Sequence, residues 1–220
     1  MNRLIRDESG ATFVEFTAVF PLILAFTFGL VDLGLLMFNW AEANRATYAG
    51  ARFAVVNNPV ARNINLTTAP AGTALNGNAC FKADGTPSGL CAAVSATTCT
   101  GTGPATVACE GSYTPDQAAF AAILAEMQKQ YLSKTLDPRQ VSIRYEPLPL
   151  GYVGRPGGYP MNITVSLKCL RQEVYFVAGL FGWVFPPLPQ ECQDITDSNG
   201  FTLPPFATTL PAEDLKTNAF

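Results

Sequence analysis

No histidine occurs among the 220 residues. Histidine is the commonest general base and metal ligand near neutral pH, so its absence excludes Ser-His-Asp triads, zincin-type zinc sites and two-histidine iron centres. Charge is scarce as well: Asp, Glu, Lys and Arg make up 14% of the chain, with a formal net charge of -3. Nucleic-acid binding draws on clustered Lys and Arg, and this balance does not supply them. None of the cysteines forms a C-x-x-C pair, which argues against zinc ribbons and thioredoxin-like redox motifs. No cofactor is expected.

In place of charge the chain carries 18 glycines and 17 prolines, a composition of loops and short strands. Six cysteines, Cys80, Cys91, Cys99, Cys109, Cys169 and Cys192, all follow the first apolar segment. An even number at wide spacing reads as up to three disulfides in an oxidising compartment. Many connectivities are open. The expected one pairs Cys169 with Cys192 and the other four locally.

The N-terminal segment is apolar. From Phe16 to Val31 there is no charged residue, and after Asp32 none until Glu42. Residues 11–38 as a helix reach about 42 Å, enough to cross a bilayer with some tilt. The competing reading is a secretory signal, whose apolar part is shorter and ends at a small-residue cleavage site. Basic residues flank both ends, Arg3 and Arg6 before and Arg45, Arg52 and Arg62 after, so charge alone does not orient the segment. The cysteines do: the C-terminal part is expected outside the cytoplasm, with residues 1–10 inside.

Two acids sit in or beside this run, and an intramembrane carboxylate points to function by default. On a helical wheel Glu15, Ala25, Gly29 and Asp32 fall within about 60° of Ala18. Small residues let helices approach closely in lipid, so this face reads as a helix–helix contact surface. Glu15 stands near the segment's end, where snorkelling to the headgroups is the alternative.

The sequence GATFVEF, Gly10 to Phe16, resembles the processing site of type IV prepilins, with the cut after Gly10 leaving Ala11 as the new N-terminus. The longer stretch from Arg6 to Val56 is similar to the TadE-like family of Tad/Flp (tight adherence) pilus systems. The features that carry the likeness are a short charged leader ending in glycine, Glu15 with an aromatic at Phe16, Pro21 in mid-helix, Asp32 closing the apolar run, and GARFA at 50–54. The resemblance implies a minor pilin or pseudopilin, with Glu15 and Phe16 serving peptidase recognition or assembly. It implies as partners a prepilin peptidase, other pilins or pseudopilins, an inner-membrane assembly platform and membrane lipid. The location implied is the inner membrane, single-pass, with the C-terminal domain periplasmic or carried into a pilus.

Beyond the anchor, residues 39–56 continue as an Ala-rich stalk helix, stopped by Asn57-Asn58-Pro59. Arg45 and Arg52 read as solvated or headgroup-facing. Residues 57–112 form a Cys-containing loop region or a set of short strands. In residues 113–220, Thr114-Pro-Asp-Gln117 carries a capping-box pattern, with Thr114 as the cap and Pro115 as the first helical residue. Phe120, Ile123, Leu124, Met127 and Tyr131 then mark one apolar helix face to about Lys134. Val141, Ile143 and Tyr145, and Met161, Ile163, Val165, Leu167 and Cys169, alternate as half-buried strands that pair across a long Pro/Gly excursion. Residues 174–185 are too short to span and are expected against the strands, and a last strand is expected near Phe206 to Leu210.

The fold class expected is therefore α+β: a long N-terminal helix, then a small disulfide-containing domain with one packed helix and an antiparallel sheet. No enzymatic role is expected. A membrane-tethered hydrolase or binding module would rest on acid pairs such as Asp194/Asp197 or Glu213/Asp214, and an ordinary secreted disulfide protein would need only the signal reading.

Overall fold

The computed structural model describes residues 8–62, 64, 76–91, 94–104, 106–155, 160–172, 192, 195 and 201–212. Helix α1, Glu8–Val56, is a single run of 49 residues, about 74 Å long from its rise per residue. Pro21 lies inside it and brings no N–H to the ladder, a defect tolerated in apolar helices when nearby groups are satisfied locally. The hydroxyl of Thr17 donates back to the carbonyls of Phe13 and Val14, and that of Thr27 to Leu24. The helix ends where the Asn57 side-chain amide donates to Phe53 O at 2.8 Å, two residues before Pro59.

Two halves of α1 have different surroundings. From Phe13 to Phe38 most side chains are exposed all round the helix, whereas from Asn39 onward Glu42, Ala43, Ala46, Thr47, Gly50, Ala51 and Ala54 are buried. Their spacing is that of one helix face, and nearly all are small, so the backbone packs closely on what lies beneath. The expected stalk is therefore part of the domain core.

A five-stranded antiparallel sheet has the order β3-β2-β5-β6-β9. Its strands are β2 (Thr97–Gly103), β3 (Thr106–Cys109), β5 (Val141–Pro147), β6 (Met161–Leu167) and β9 (Phe206–Ala212). The alternation read in the sequence is realised: Val141, Ile143, Tyr145, Met161, Ile163, Val165 and Leu167 are all fully buried. β5 and β6 pair from Val141↔Leu167 to Pro147↔Met161 across the long connection. β9 adds at the edge as expected, whereas Cys169 falls past the end of β6, with φ +59°. Strands β2 and β3, from the part expected as loops or short strands, join the same sheet, so no boundary at residue 112 divides it. Among the described residues there are also two two-residue pairs: β1 (Ala61–Arg62) with β4 (Thr114–Pro115), and β7 (Arg171–Gln172) with β8 (Phe201–Thr202).

The second helix, α2 (Gln117–Gln130), starts later and ends earlier than its sequence pattern indicates. Thr114 and Pro115 are not its cap and first residue but the edge strand β4. The cap is Asp116, whose carboxylate accepts from the Ala118 and Ala119 amides at 3.0 and 3.1 Å. Carboxylates compete well for these orphan donors, and the pairing of β4 with β1 holds Thr114 extended. Gln117 closes no capping box; its side-chain amide instead bridges the amide and carbonyl of Val107. At the other end Tyr131 caps α2, and Gln128 accepts from Leu136 N and donates to the carbonyls of Tyr131 and Lys134. Phe120, Ile123, Met127 and Tyr131 are buried as expected, with Leu124 partly so.

Contacts order the elements along α1. The Asp116 amide meets Val60 O, Met127 lies against Gly50, and Ser133 N meets Glu42, so α2 runs antiparallel to α1. Phe206 packs edge-on against Trp40 and the Thr208 hydroxyl donates to that of Thr47, so β9 runs the same way as α1. One rim of the domain, residues 131–140, 168–172 and 203–206, therefore sits beside the apolar half of α1. The turns at 148–155 and 76–91, joined by the Ala79↔Tyr152 bridge, lie at the far end.

The disulfides are Cys80–Cys91, Cys99–Cys109 and Cys169–Cys192, the expected local pairing. Residues 174–185 lie outside the described residues.

Gly101 of β2 is in the way of any side chain: a Cβ there would stand 2.1 Å from Pro138 O. A Gly101→Ala substitution is expected to cost about 1–3 kcal/mol or more, read as a lowered urea midpoint; an unchanged midpoint would contradict this packing. Acid sensitivity follows from the caps. Burial acts to raise the pKa of Asp116, but the Ala119 amide, the Arg62 guanidinium at 2.8 Å and the Ala118 amide outweigh it and leave the carboxyl below its ordinary value. Asp137, first through its hydrogen bond from Arg139 and against the effect of burial, is held low too. Folded values below the unfolded value of about 3.9 stabilise the fold above that pH, and the contribution fades as pH falls through the folded values. The urea midpoint of Asp116→Asn is accordingly expected to fall less steeply below pH ~4 than that of the parent.

Candidate membrane and assembly interface

The apolar half of α1 carries the candidate site. Phe13, Val14, Phe16, Leu22 and Phe26 are each more than 60% exposed, a surface that water does not tolerate in bulk. The best window of the segment has a mean hydropathy of 2.2 with 6% of it buried inside the molecule. A core helix of a soluble domain would be mostly buried, so this half of α1 fits a membrane anchor. Among the described residues it is the only helix long and apolar enough to cross a bilayer.

Each expected site residue has a definite place. Gly10 and Ala11 lie in the first turns of α1. Glu15 is exposed one turn further on, beside Phe16, whose ring stacks on Phe20 at 5.3 Å. Ala18 and Ala25 are exposed and Gly29 is half-buried; a Cβ added at Gly29 meets nothing within 4 Å. That part of the face is therefore open to a partner helix. Asp32 differs. It is 6% exposed, so its carboxylate is enclosed within this chain and not presented on the open face. The acids Asp194, Asp197, Glu213 and Asp214 lie outside the described residues. Among the described residues no group of three or more His, Cys, Asp or Glu side chains is placed to hold a metal ion.

Where the exposed half gives way to the core, polar side chains are buried that the sequence reading did not single out. Asn39 donates to the side-chain carbonyl of Gln172. Glu42, 4% exposed, accepts from Ser133 N at 3.1 Å. The Tyr131 phenol beside it is pushed above its ordinary pKa, mainly by burial, with the Glu42 charge adding and a hydrogen bond from Ser133 opposing. The signal was present: residues 39, 42, 43, 46, 47, 50, 51 and 54 trace one helix face, and Asn39 and Glu42 break its run of small residues. On the opposite face Arg45 and Arg52 are exposed as expected. With Tyr48, Val56, Glu126 and Gln130 they line an open groove of about 490 Å³, in which the Arg52 guanidinium lies 5.9 Å from the Tyr48 ring centre.

The family of TadE-like proteins matches residues 10–52. That span takes in the expected processing site, the whole exposed half of α1 and the small-residue face that enters the core as far as Ala51. The match supports a role associated with Tad pili. Neither the curated proteins nor the solved structures contain a match to the chain.

Glu42 ties the turn after α2 to α1. Replacing it by Leu removes the acceptor for Ser133 N–H, and the loss is expected to be about 1–3 kcal/mol. Faster amide exchange confined to residues 131–136 is the expected signature; uniform exchange across α2 would point to general unfolding instead.

Proposed function

We propose that the chain is a minor pilin or pseudopilin of a Tad-type pilus. Its leader is cut after Gly10 by a prepilin peptidase, its α1 docks into the pilus or the inner-membrane assembly platform, and its disulfide-bonded domain stands on the periplasmic side. The role is structural and not catalytic. The observation that carries the reading is the continuity of α1: a helix exposed over its apolar half is, without a break, the central helix of the folded domain. Any machine that moves the anchor thereby moves the domain.

The electrostatics of the N-terminus give the cut a purpose. Cleavage turns the neutral amide of Ala11 into an α-ammonium about one helical turn from Glu15. In a medium of low dielectric each charge is costly alone and much less so when paired. Glu15 is exposed, so the carboxylate that meets this ammonium can belong to the same chain or to a neighbouring subunit. The oxidising periplasm matches three disulfides in the domain.

Mass spectrometry of the mature chain is expected to show Ala11 at the N-terminus. Glu15→Gln keeps the shape and removes the charge; it is expected to be cut normally yet to enter the pilus or platform fraction about tenfold less, the scale of one charge-assisted contact. A mature chain beginning at Met1, or inside the apolar run, overturns the reading, as does a Glu15→Gln chain that assembles like the parent.

A further inference from the structure

The groove between α1 and α2 holds two cations that the rest of the chain leaves alone. Arg45 and Arg52 are exposed, and among the described residues neither guanidinium takes part in a hydrogen bond or an ion pair. Elsewhere the chain engages its described arginines: Arg62, Arg139 and Arg144 each meet a carboxylate, and Arg155 and Arg171 have partners as well. Glu126, the acid that lines the groove, is already bound to Lys129 at 2.6 Å. Tyr48 lies between the two arginines and Val56 beyond them, both exposed. The groove is thus apolar along its length and positive at two points.

The spacing of the charges says what fits them. Seven residues on one helix put Arg45 and Arg52 about 10 Å apart along the axis. That is too far to converge on one phosphate or carboxylate, so each guanidinium takes an anion of its own. Arg52 lies 5.9 Å from the centre of the Tyr48 ring, and a guanidinium beside a ring keeps its N–H edge for a bidentate carboxylate. Two packed helices offer a third a groove to lie in. A helix with carboxylates seven residues apart repeats the spacing of the arginines.

Lipid headgroups do not reach this site. From Phe38, the end of the apolar run, Arg45 and Arg52 stand about 10 and 21 Å along α1, whereas the headgroup layer adds only about 5–8 Å to the hydrocarbon on each side. The helices of a second copy do not supply the acids either. α2 carries Glu126 alone. In α1, Asp32 and Glu42 are buried, and Glu8 and Glu15 belong to the opposite end of the span.

We propose that this groove docks an acidic helix of a different protein on the same side of the membrane, with its carboxylates on Arg45 and Arg52 and an apolar side chain between them against Tyr48. The proposal rests on α1 crossing a bilayer and not on the cut after Gly10.

Photocrosslinking of the full-length chain in its own cells tests it. Benzoylphenylalanine replaces Val56 in the groove or, as a control, Leu150 at the far end of the domain, and the adducts are sequenced by mass spectrometry. Expected from position 56 is an adduct with one protein segment that carries Asp or Glu seven residues apart. Arg45→Glu with Arg52→Glu is expected to lower its yield at least about fivefold, since like charges then face each other. Reversing the two carboxylates of the captured segment to Lys is expected to restore the yield, which a groove merely unfolded by the substitutions would not allow. Adducts from position 150 are expected to change with neither. An adduct with lipid, with a second copy of this chain or with a segment lacking such acids overturns the proposal. So does a yield indifferent to charge reversal, a loss that the reciprocal reversal does not repair, or no adduct at all. A chain cut after Gly10 that gives no adduct at position 56 fails here and keeps the pilin reading, and an uncut chain that gives the expected adduct does the reverse.

Discussion

The close approach of α1 to the rest of the domain at Gly50 is the constraint on which the architecture depends. A Cβ at that position would lie 2.6 Å from Met127 Cγ and 3.4 Å from Val165 Cγ1, so the backbone of α1 itself forms part of the contact with α2 and with β6. Ala43, Ala46, Ala51 and Ala54 extend the seam in both directions with no measurable exposure. Alanine keeps the helix propensity high while adding little bulk. The same helix therefore serves an apolar exterior in one half and a protein interior in the other, with no hinge between them.

Such a helix must change character within one or two turns, and polar groups mark the change. Asn39 and Gln172, Glu42 and Ser133, and Thr47 and Thr208 form successive links between α1 and the elements packed on it. Buried polar groups destabilise unless partnered, and a partnered set fixes register more sharply than methyl groups do. Tyr145 works alike deeper in the core: fully buried, its phenol oxygen accepts from Val60 N at 2.9 Å. That bond holds the chain just after α1 to the middle of the sheet. Burial keeps this phenol well above its ordinary pKa, so the link is insensitive to pH.

The sequence disclosed most where a single period governed the residues. β5, β6 and the inner face of α2 follow alternation or a helical stripe because one side of each is buried. The anchor was legible from apolar length, and the disulfide partners from proximity along the chain. Elsewhere a competing interaction was at work. Thr114 and Pro115 look like the start of a helix, but pairing with Ala61–Arg62 draws them into a strand, and Asp116 takes the cap. β2 is Thr97-Thr-Cys-Thr-Gly-Thr-Gly, whose small side chains give little hydropathy contrast, so its place in the central sheet depends on neighbours far away in sequence. The Ala-rich half of α1 has no bulky stripe for the same reason. At the candidate site, the exposure of Glu15 and Phe16 follows from their place in the apolar run, whereas the enclosure of Asp32 is tertiary and no local pattern reports it.

The parallel course of α1 and β9, with β6 antiparallel beside them, has a mechanical consequence. A pull applied to the anchor along its axis acts lengthwise on this set of elements. Their hydrogen bonds and packed methyls are then loaded together, in shear, and do not open one after another as at the end of a hairpin. Traction on the greasy end would be borne by the entire fold at once.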